Sequence, residues 1–413
     1  MRQLLRIRDA RVFLLGSAVS MLGDSAMFLV LGIWAKDLTG SNSAAGLVFF
    51  VLVLPSLASP LAGLVVDRLR KRPLLIATNC LIAVALLLLL FVHDRSDLWL
   101  IYLVAGLYGA SGVVLFSARS AFMTVMLPRE LLGEANAMFS AVREGLRLLS
   151  PLVGAGLYAA FGGGVVAVAD AVTFVAFAVA IALLRTRESK PTREEQVFLM
   201  ELVAGVRHVF ATLPLRQIIL ATGACLLVVG FSETLIFAVV DSGLHRSPSF
   251  LGVLEPLQGA GAILGGVTAA RALRRFGDVR LVGIGMLLFA AGDGTFASSS
   301  LVLVCVGFLI AGFGISWLIV GFMTSIQLRT PQHLQGRVAS AADTMVSTPQ
   351  TVSIALGATL VSVVDYRFLV AVMAAVICAC AAYLLTRPAE TPAPTAATPL
   401  APSADPLLSP PPP

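Results

Sequence analysis

Ionisable side chains embedded in long apolar runs are the residues of this 413-residue chain whose placement could do chemistry. Asp24 lies near the middle of an apolar stretch beginning around residue 12. An isolated charge at such a depth costs about 2.5–3.5 kcal/mol on insertion scales, so it needs a purpose. One fits the residue type: a carboxylate there can take a proton from one face of a membrane and release it to the other. Ser20, Met21, Met27 and Phe28 stand one helical turn away, so no basic neighbour on its own helix would hold it ionised. Hydrogen bonding for packing alone is the competing role.

Arg143, Glu144 and Arg147 form a second group, inside the run 136–161. The two arginines share a face at i, i+4, and Glu144 reaches Arg147 at i, i+3, which leaves a positive excess. It could complement Asp24, bind an anionic solute, or simply tie helices together. Glu233 and Glu255 are embedded in later runs with no Lys or Arg deep in the same stretch, and they are candidates for a second proton or cation site. Asp293, between two glycines, is expected to be solvated near the outer surface. Asp170 and Asp343 are expected to be solvated or capping near run ends. Other chemistries have no footing. Cys80, Cys225, Cys305, Cys378 and Cys380 lie in apolar runs without metal-ligand spacing, so no metal site or cofactor is expected. No G-x-x-x-x-G-K-[ST], H-E-x-x-H or G-x-S-x-G motif is present, which argues against an enzyme.

The elements that must position these groups are membrane spans. Hydrophobic residues make up 58% of the chain, charged residues 13%, and the mean hydropathy is +0.93. A soluble fold needs far more polar surface, so a soluble enzyme is excluded. Twelve apolar runs reach the length of about 20 residues that crosses a bilayer, near 12–35, 44–66, 73–92, 98–118, 136–161, 164–184, 217–240, 249–270, 281–298, 300–323, 338–362 and 367–385. With residue 1 inside, 23 of the 29 basic residues fall in inside loops and termini and four outside, which places both termini in the cytoplasm. The net charge of +6 is therefore topology and not a nucleic-acid signal.

The polar segment 185–216 divides the chain into bundles over 12–184 and 217–386, after a short cytoplasmic start at 1–11. Thr192 and Glu195 form a capping box, and Phe198, Leu202, Val206, Val209 and Phe210 recur at helical spacing, which predicts an amphipathic helix on the cytoplasmic face. Residues 387–413 are rich in proline and predict a disordered tail. An internal repeat relates the halves. Gly63-Leu-Val-Val-Asp67-Arg68-Leu-Arg70-Lys71-Arg72 returns 203 residues later as Gly266-Val-Thr-Ala-Ala270-Arg271-Ala-Leu-Arg274-Arg275. The same offset carries Pro128-Arg-Glu-Leu131-Leu-Gly133 onto Pro331-Gln-His-Leu334-Gln-Gly336. Two six-helix halves related by an axis along the membrane normal follow.

Gly63-x-x-x-Asp67-Arg68-x-x-Lys71-Arg72 resembles the signature loop between helices 2 and 3 of the major facilitator superfamily. Gly23-Asp24, Pro128-Arg-Glu-x-x-Gly-x-Ala-Asn136, Asp170-Ala-x-Thr173-Phe174 and Gly336-Arg337-Val338 extend the likeness to the drug:proton antiporters that include macrolide and siderophore (enterobactin-type) exporters. The likeness covers about residues 10–386. The helix-5 turn departs from that group's Gly-Pro-x-x-Gly-Gly, reading Ser150-Pro151-Leu-Val-Gly154-Ala155, yet every substituted residue stays small enough for a kinked, closely packed helix.

The resemblance implies an all-α fold of twelve transmembrane helices in two pseudo-symmetric bundles. It also implies a bacterial inner-membrane exporter of an amphiphilic compound by proton antiport, functional as a monomer, with a small-molecule substrate, protons and the bilayer as partners. A conformational latch follows from it, made of Gly63, Asp67, Arg68, Lys71 and Arg119, with Asp67 meeting the N-terminus of helix 11, Arg68 and Lys71 tethering the loop, and Arg119 a nearby partner. A helix N-terminus favours an anion by about 0.3–1 kcal/mol. A lipid or lysolipid flippase of the same fold and a non-transporting receptor or scaffold are the alternatives. A scaffold has no need of embedded acids.

Overall fold

A computed structural model of the chain describes residues 6–59, 66, 68–186, 188, 198–331 and 334–386. It is helical throughout these residues. The N-terminal half comprises α1 (Arg8–Thr39), α2 (Asn42–Val53, continued as a 3-10 turn to Ala58), α3 (Lys71–Leu87), α4 (Leu98–Met126), α5 (Arg129–Phe161) and α6 (Gly163–Ala182). After α7 (Phe198–Ala211), the C-terminal half comprises α8 (Leu213–Val229), α9 (Ser232–Ala238), α10 (Leu251–Phe276), α11 (Asp278–Gly294), α12 (Leu301–Arg329), α13 (Gln335–Leu360) and α14 (Tyr366–Leu385). The exterior carries apolar side chains such as Leu15, Val267 and Val302, each more than two-thirds exposed, as a lipid-facing surface requires.

Nine helices among the described residues are long and apolar enough to cross a membrane. The other three expected spans fall on α2, α5 and α13. The described part of α2 is short, ending before residues 60–65, which lie outside the description. In α5 and α13 polar residues dilute the apolar character: Arg143, Glu144 and Arg147 in one, Asp343, Ser347, Thr348 and Gln350 in the other. Each also carries an internal proline, Pro151 or Pro349. The seventh expected span is broken. At Gly230 the backbone passes so close to α13 that a Cβ would lie 2.6 Å from the Gln350 carbonyl, and α8 gives way to α9 there. Within the C-terminal half, Gly285, Gly292 and Gly314 let α11 and α12 meet backbone to backbone.

The halves touch at the end of the bundle remote from the chain termini. Lys36, near the end of α1, donates to Asp241 Oδ2 at 2.7 Å, just after α9. Phe49 of α2 stacks with Phe237 at 5.9 Å, and Gly46 admits the Thr234 side chain. The segment joining the halves is anchored twice at the termini end. Asp9 Oδ2 accepts from the backbone N–H groups of Arg185 and Thr186, and the Glu188 carboxylate accepts from those of Lys71 and Arg72 at the start of α3. By contrast α7 packs on α13, where Gly205 lies against the Arg337 carbonyl, and the His208 ring hydrogen-bonds the Arg329 carbonyl at 3.1 Å. The proline-rich residues 387–413 lie outside the described residues.

Candidate functional site

Between the two halves lies a cavity of about 810 Å³. Asp24 from α1, Arg143 and Pro151 from α5, Glu233 from α9 and Glu255 from α10 all line it, as does Arg119 from α4. Residues read separately from four apolar runs therefore share one chamber. Phe28, Phe49, Phe116 and Met123 give it an apolar wall, and Gln258 and Ser120 add neutral polar groups.

Asp24 meets a cation that its own helix does not supply. Arg119 Nη2 stands 3.8 Å from Asp24 Oδ2, and the same nitrogen donates to Ser20 Oγ at 3.1 Å. The guanidinium lies over the Phe177 ring at 4.8 Å, which fixes it against α6. Arg119, the expected latch partner, follows directly on the apolar run 98–118. The structure places it inside α4, because that helix continues two turns beyond the apolar run, to Met126.

Two further groups complete this corner. The Tyr108 hydroxyl hydrogen-bonds Asp170 Oδ2 at 2.9 Å and Asp24 Oδ1 at 3.3 Å. Asp170, expected to be solvated or capping near a run end, is instead 2% exposed. It sits about two turns into α6, facing α1, where Gly23 has no side chain to exclude it. Its Oδ1 takes a hydrogen bond from Thr173 at 3.0 Å, and Phe174 packs edge-on against Tyr108. The pattern Asp170-x-x-Thr173, an acid with its own donor one turn on, was the available signal. Tyr108, in the middle of an apolar run between Gly106 and Gly109, offered only its hydroxyl.

The remaining predicted residues divide. Ser150 is buried with its Oγ unpartnered, Pro151 is on the cavity wall, and Gly154 lies against the backbone of Ala26 on α1. Arg68 is exposed, while Lys71 begins α3 with its N–H on Glu188. Gly63 and Asp67 fall outside the described residues, as do the side chains of Glu144 and Arg147. Asp293, expected at the solvated outer surface, is 1% exposed with Oδ2 unpartnered, because α11 packs it inward toward Cys225. Asp343 is exposed. Among the described residues no three His, Cys, Asp or Glu side chains form a metal-binding group.

The two halves of the helical bundle thus enclose a mainly apolar cavity with charged side chains in its wall. A sequence profile of the Major Facilitator Superfamily matches residues 13–242 and 222–411, and the chain belongs to that family. It is thus a secondary transporter, not an enzyme, embedded in a membrane and acting on a small molecule. The chain is 23% identical over 374 residues to the uncharacterized MFS-type transporter YfiS of Bacillus subtilis (strain 168), covering 87% of this chain and 88% of that one. Its fold is similar to a bacterial homologue of the iron transporter ferroportin in the inward-facing state, with TM-score 0.71, 15% identity and coverage of 92% and 98%. The same homologue in the outward-facing state gives 0.60 at 16% identity, with coverage of 92% and 99%. The nucleoside transporter NupG gives 0.70 at 12% identity, with coverage of 91% and 98%.

Proposed function

We propose that the protein is a secondary active exporter of an amphiphilic organic compound, working by proton antiport with alternating access. The observation carrying this reading is the Asp24–Arg119 pair on the wall of a large, mainly apolar cavity between the halves. A cavity of about 810 Å³ suits a drug-sized solute, for which sites commonly span about 300–1,000 Å³. The bias of basic residues supports cytoplasmic termini, and on this reading the touching ends of the halves are the outer ones. The cavity then faces inward, where it collects its cargo, and a monomer suffices.

Proton and cargo compete through charge. While Asp24 is ionised it holds Arg119, and the chamber keeps a compensated pair. Protonation of Asp24 removes that attraction and leaves Arg119 with Ser20 and the Phe177 face alone, which changes what the chamber can bind. Glu233 and Glu255, from the C-terminal half, line the same chamber as Arg143 and offer polar groups to a cationic or amphiphilic solute.

The test is transport of ethidium in proteoliposomes under an imposed pH gradient. Asp24→Asn, a mimic of the protonated form, should abolish uphill transport. Proton exchange by Asp24→Asn at the wild-type ratio would transfer the coupling role to Glu233. As a second test, Asp67→Asn should cut transport sharply at matched expression while Arg70→Gln is mild, and equal rates for Asp67→Asn and wild type would remove the latch from the scheme.

A further inference from the structure

Behind the cavity wall, two carboxyl groups share one phenol. Tyr108 Oη stands 2.9 Å from Asp170 Oδ2 and 3.3 Å from Asp24 Oδ1. A phenol carries a single hydrogen and can donate to one acceptor at a time. With both carboxyl groups ionised, one of these close oxygen pairs would set acceptor against acceptor in a buried place, which is expensive. Both contacts become hydrogen bonds only when one carboxyl group carries a proton and donates it to the phenol oxygen.

Arg119 settles which one. It faces Asp24, whose side chain is 29% exposed toward the chamber. Asp170 is almost fully buried, and the ionisable groups acting on it from the packed helices are Asp24 and Tyr108, with Arg119 on the far side of Asp24. Its other oxygen is held by Thr173 and sits against Gly23. The ionised member is Asp24, and the proton belongs to Asp170. Asp24 and Tyr108 line the cavity, whereas Asp170 does not.

We propose that Asp170 is a proton-carrying residue of the transport cycle, screened from cargo by Tyr108, and that it hands its proton to Asp24 through the phenol. This rests on the proton-antiport reading above. The Asp170 O–H bond breaks as its proton bonds to Tyr108 Oη, and the phenol's own proton passes to Asp24 Oδ1. The phenol ends neutral, Asp170 a carboxylate and Asp24 a carboxylic acid. One proton has moved and no electrons have changed hands. Asp24, now neutral, releases Arg119 and then gives its proton to water in the chamber; when the chamber faces the other side, a new proton taken up by Asp24 passes back through the phenol to reload Asp170.

Infrared difference spectroscopy on the purified protein in lipid nanodiscs tests this without any substrate. Wild type minus Asp170→Asn at neutral pH should show the C=O band of a protonated carboxylic acid, shifted down in heavy water. In Tyr108→Phe the band should persist at higher frequency, since the acid has lost its acceptor. Absence of the band in the first difference spectrum overturns the proposal. Should Asp170→Asn fail to fold, Asp170→Glu made with 13C-carboxyl aspartate serves instead. An acid band should then remain at the unlabelled frequency, beyond those of labelled wild type, and its absence overturns the proposal equally. For the hand-over, Tyr108→Phe should lower the protons exchanged per ethidium at least tenfold in proteoliposomes, and an unchanged ratio overturns the relay. If wild type carries ethidium with no proton movement, the antiport reading and the hand-over fall together, whereas a missing infrared band with normal proton exchange refutes Asp170 alone.

Discussion

At Gly23 a side chain would meet Asp170 Oδ1 and Thr173 Oγ1, so the hydrogen at this position is what lets α6 bring its carboxylate up to α1. Gly23→Ala should push Asp170 away from Tyr108. Overpacking of this kind destabilises by ~1–3 kcal/mol. A lower melting temperature in detergent together with lost proton exchange is the expected outcome, and an unaltered melting curve would contradict the packing described. Asp24 was legible in the sequence because a charge in the middle of an apolar run has no cheap alternative place to go. Arg119 and Asp170 were not, for the opposite reason. Each lies near the edge of a hydropathic run, where a polar residue reads as a loop, although the helix itself carries on. The cation opposite Asp24 comes from another helix 95 positions away, beyond the reach of any i, i+4 reading.

Helices α5 and α13 are the elements least apolar in composition, and both carry a proline. Both pack against the opposite half, α5 on α10 and α13 on α2, and α5 also lines the chamber with Phe139, Arg143 and Pro151, so neither need be apolar all round. The helix-5 turn then acts through its size. A Cβ at Gly154 would lie 2.8 Å from the Ala26 carbonyl of α1, so α5 and α1 pack at backbone contact two residues past Asp24. Gly154→Val should separate them, lower the melting temperature and displace Asp24 from Arg119. The check is a thermal scan of the purified variant beside Gly156→Val, where a Cβ would meet nothing within 4 Å. The small-residue pattern Ser150-Pro151-x-x-Gly154 announced close packing, whereas the break between α8 and α9 did not show, because Gly230 in an apolar run is as compatible with an unbroken helix as with a close approach to Gln350.

As a whole the molecule is two bundles meeting at the end away from the termini, with Lys36 and Asp241 as a charged contact between them. Lys36 is nearly buried and Asp241 about half exposed, so the pair is worth no more than about 1 kcal/mol. Lys36→Met should thus shift the balance toward separation of these ends by up to roughly fivefold. Spin labels at Asn42 and Ser242, which share a surface pocket there, would report it as a longer distance by pulsed EPR. An unchanged distance distribution would show that the aromatic contact of Phe49 with Phe237 holds that end alone. The two halves themselves were readable from the repeat at an offset of 203, since homologous loops recur whatever the side chains between them do.

The double anchoring of the joining segment sets a leash on the whole cycle. Glu188 is fastened to the N-terminal bundle through Lys71 and Arg72, while α7, from Phe198 onward, travels with α13. Ten peptide steps separate these moorings, and covalent geometry lets them reach no farther than roughly 33–36 Å. While both moorings hold, the termini-side ends of the bundles cannot part beyond that tether, which bounds the widest mouth the cavity can open.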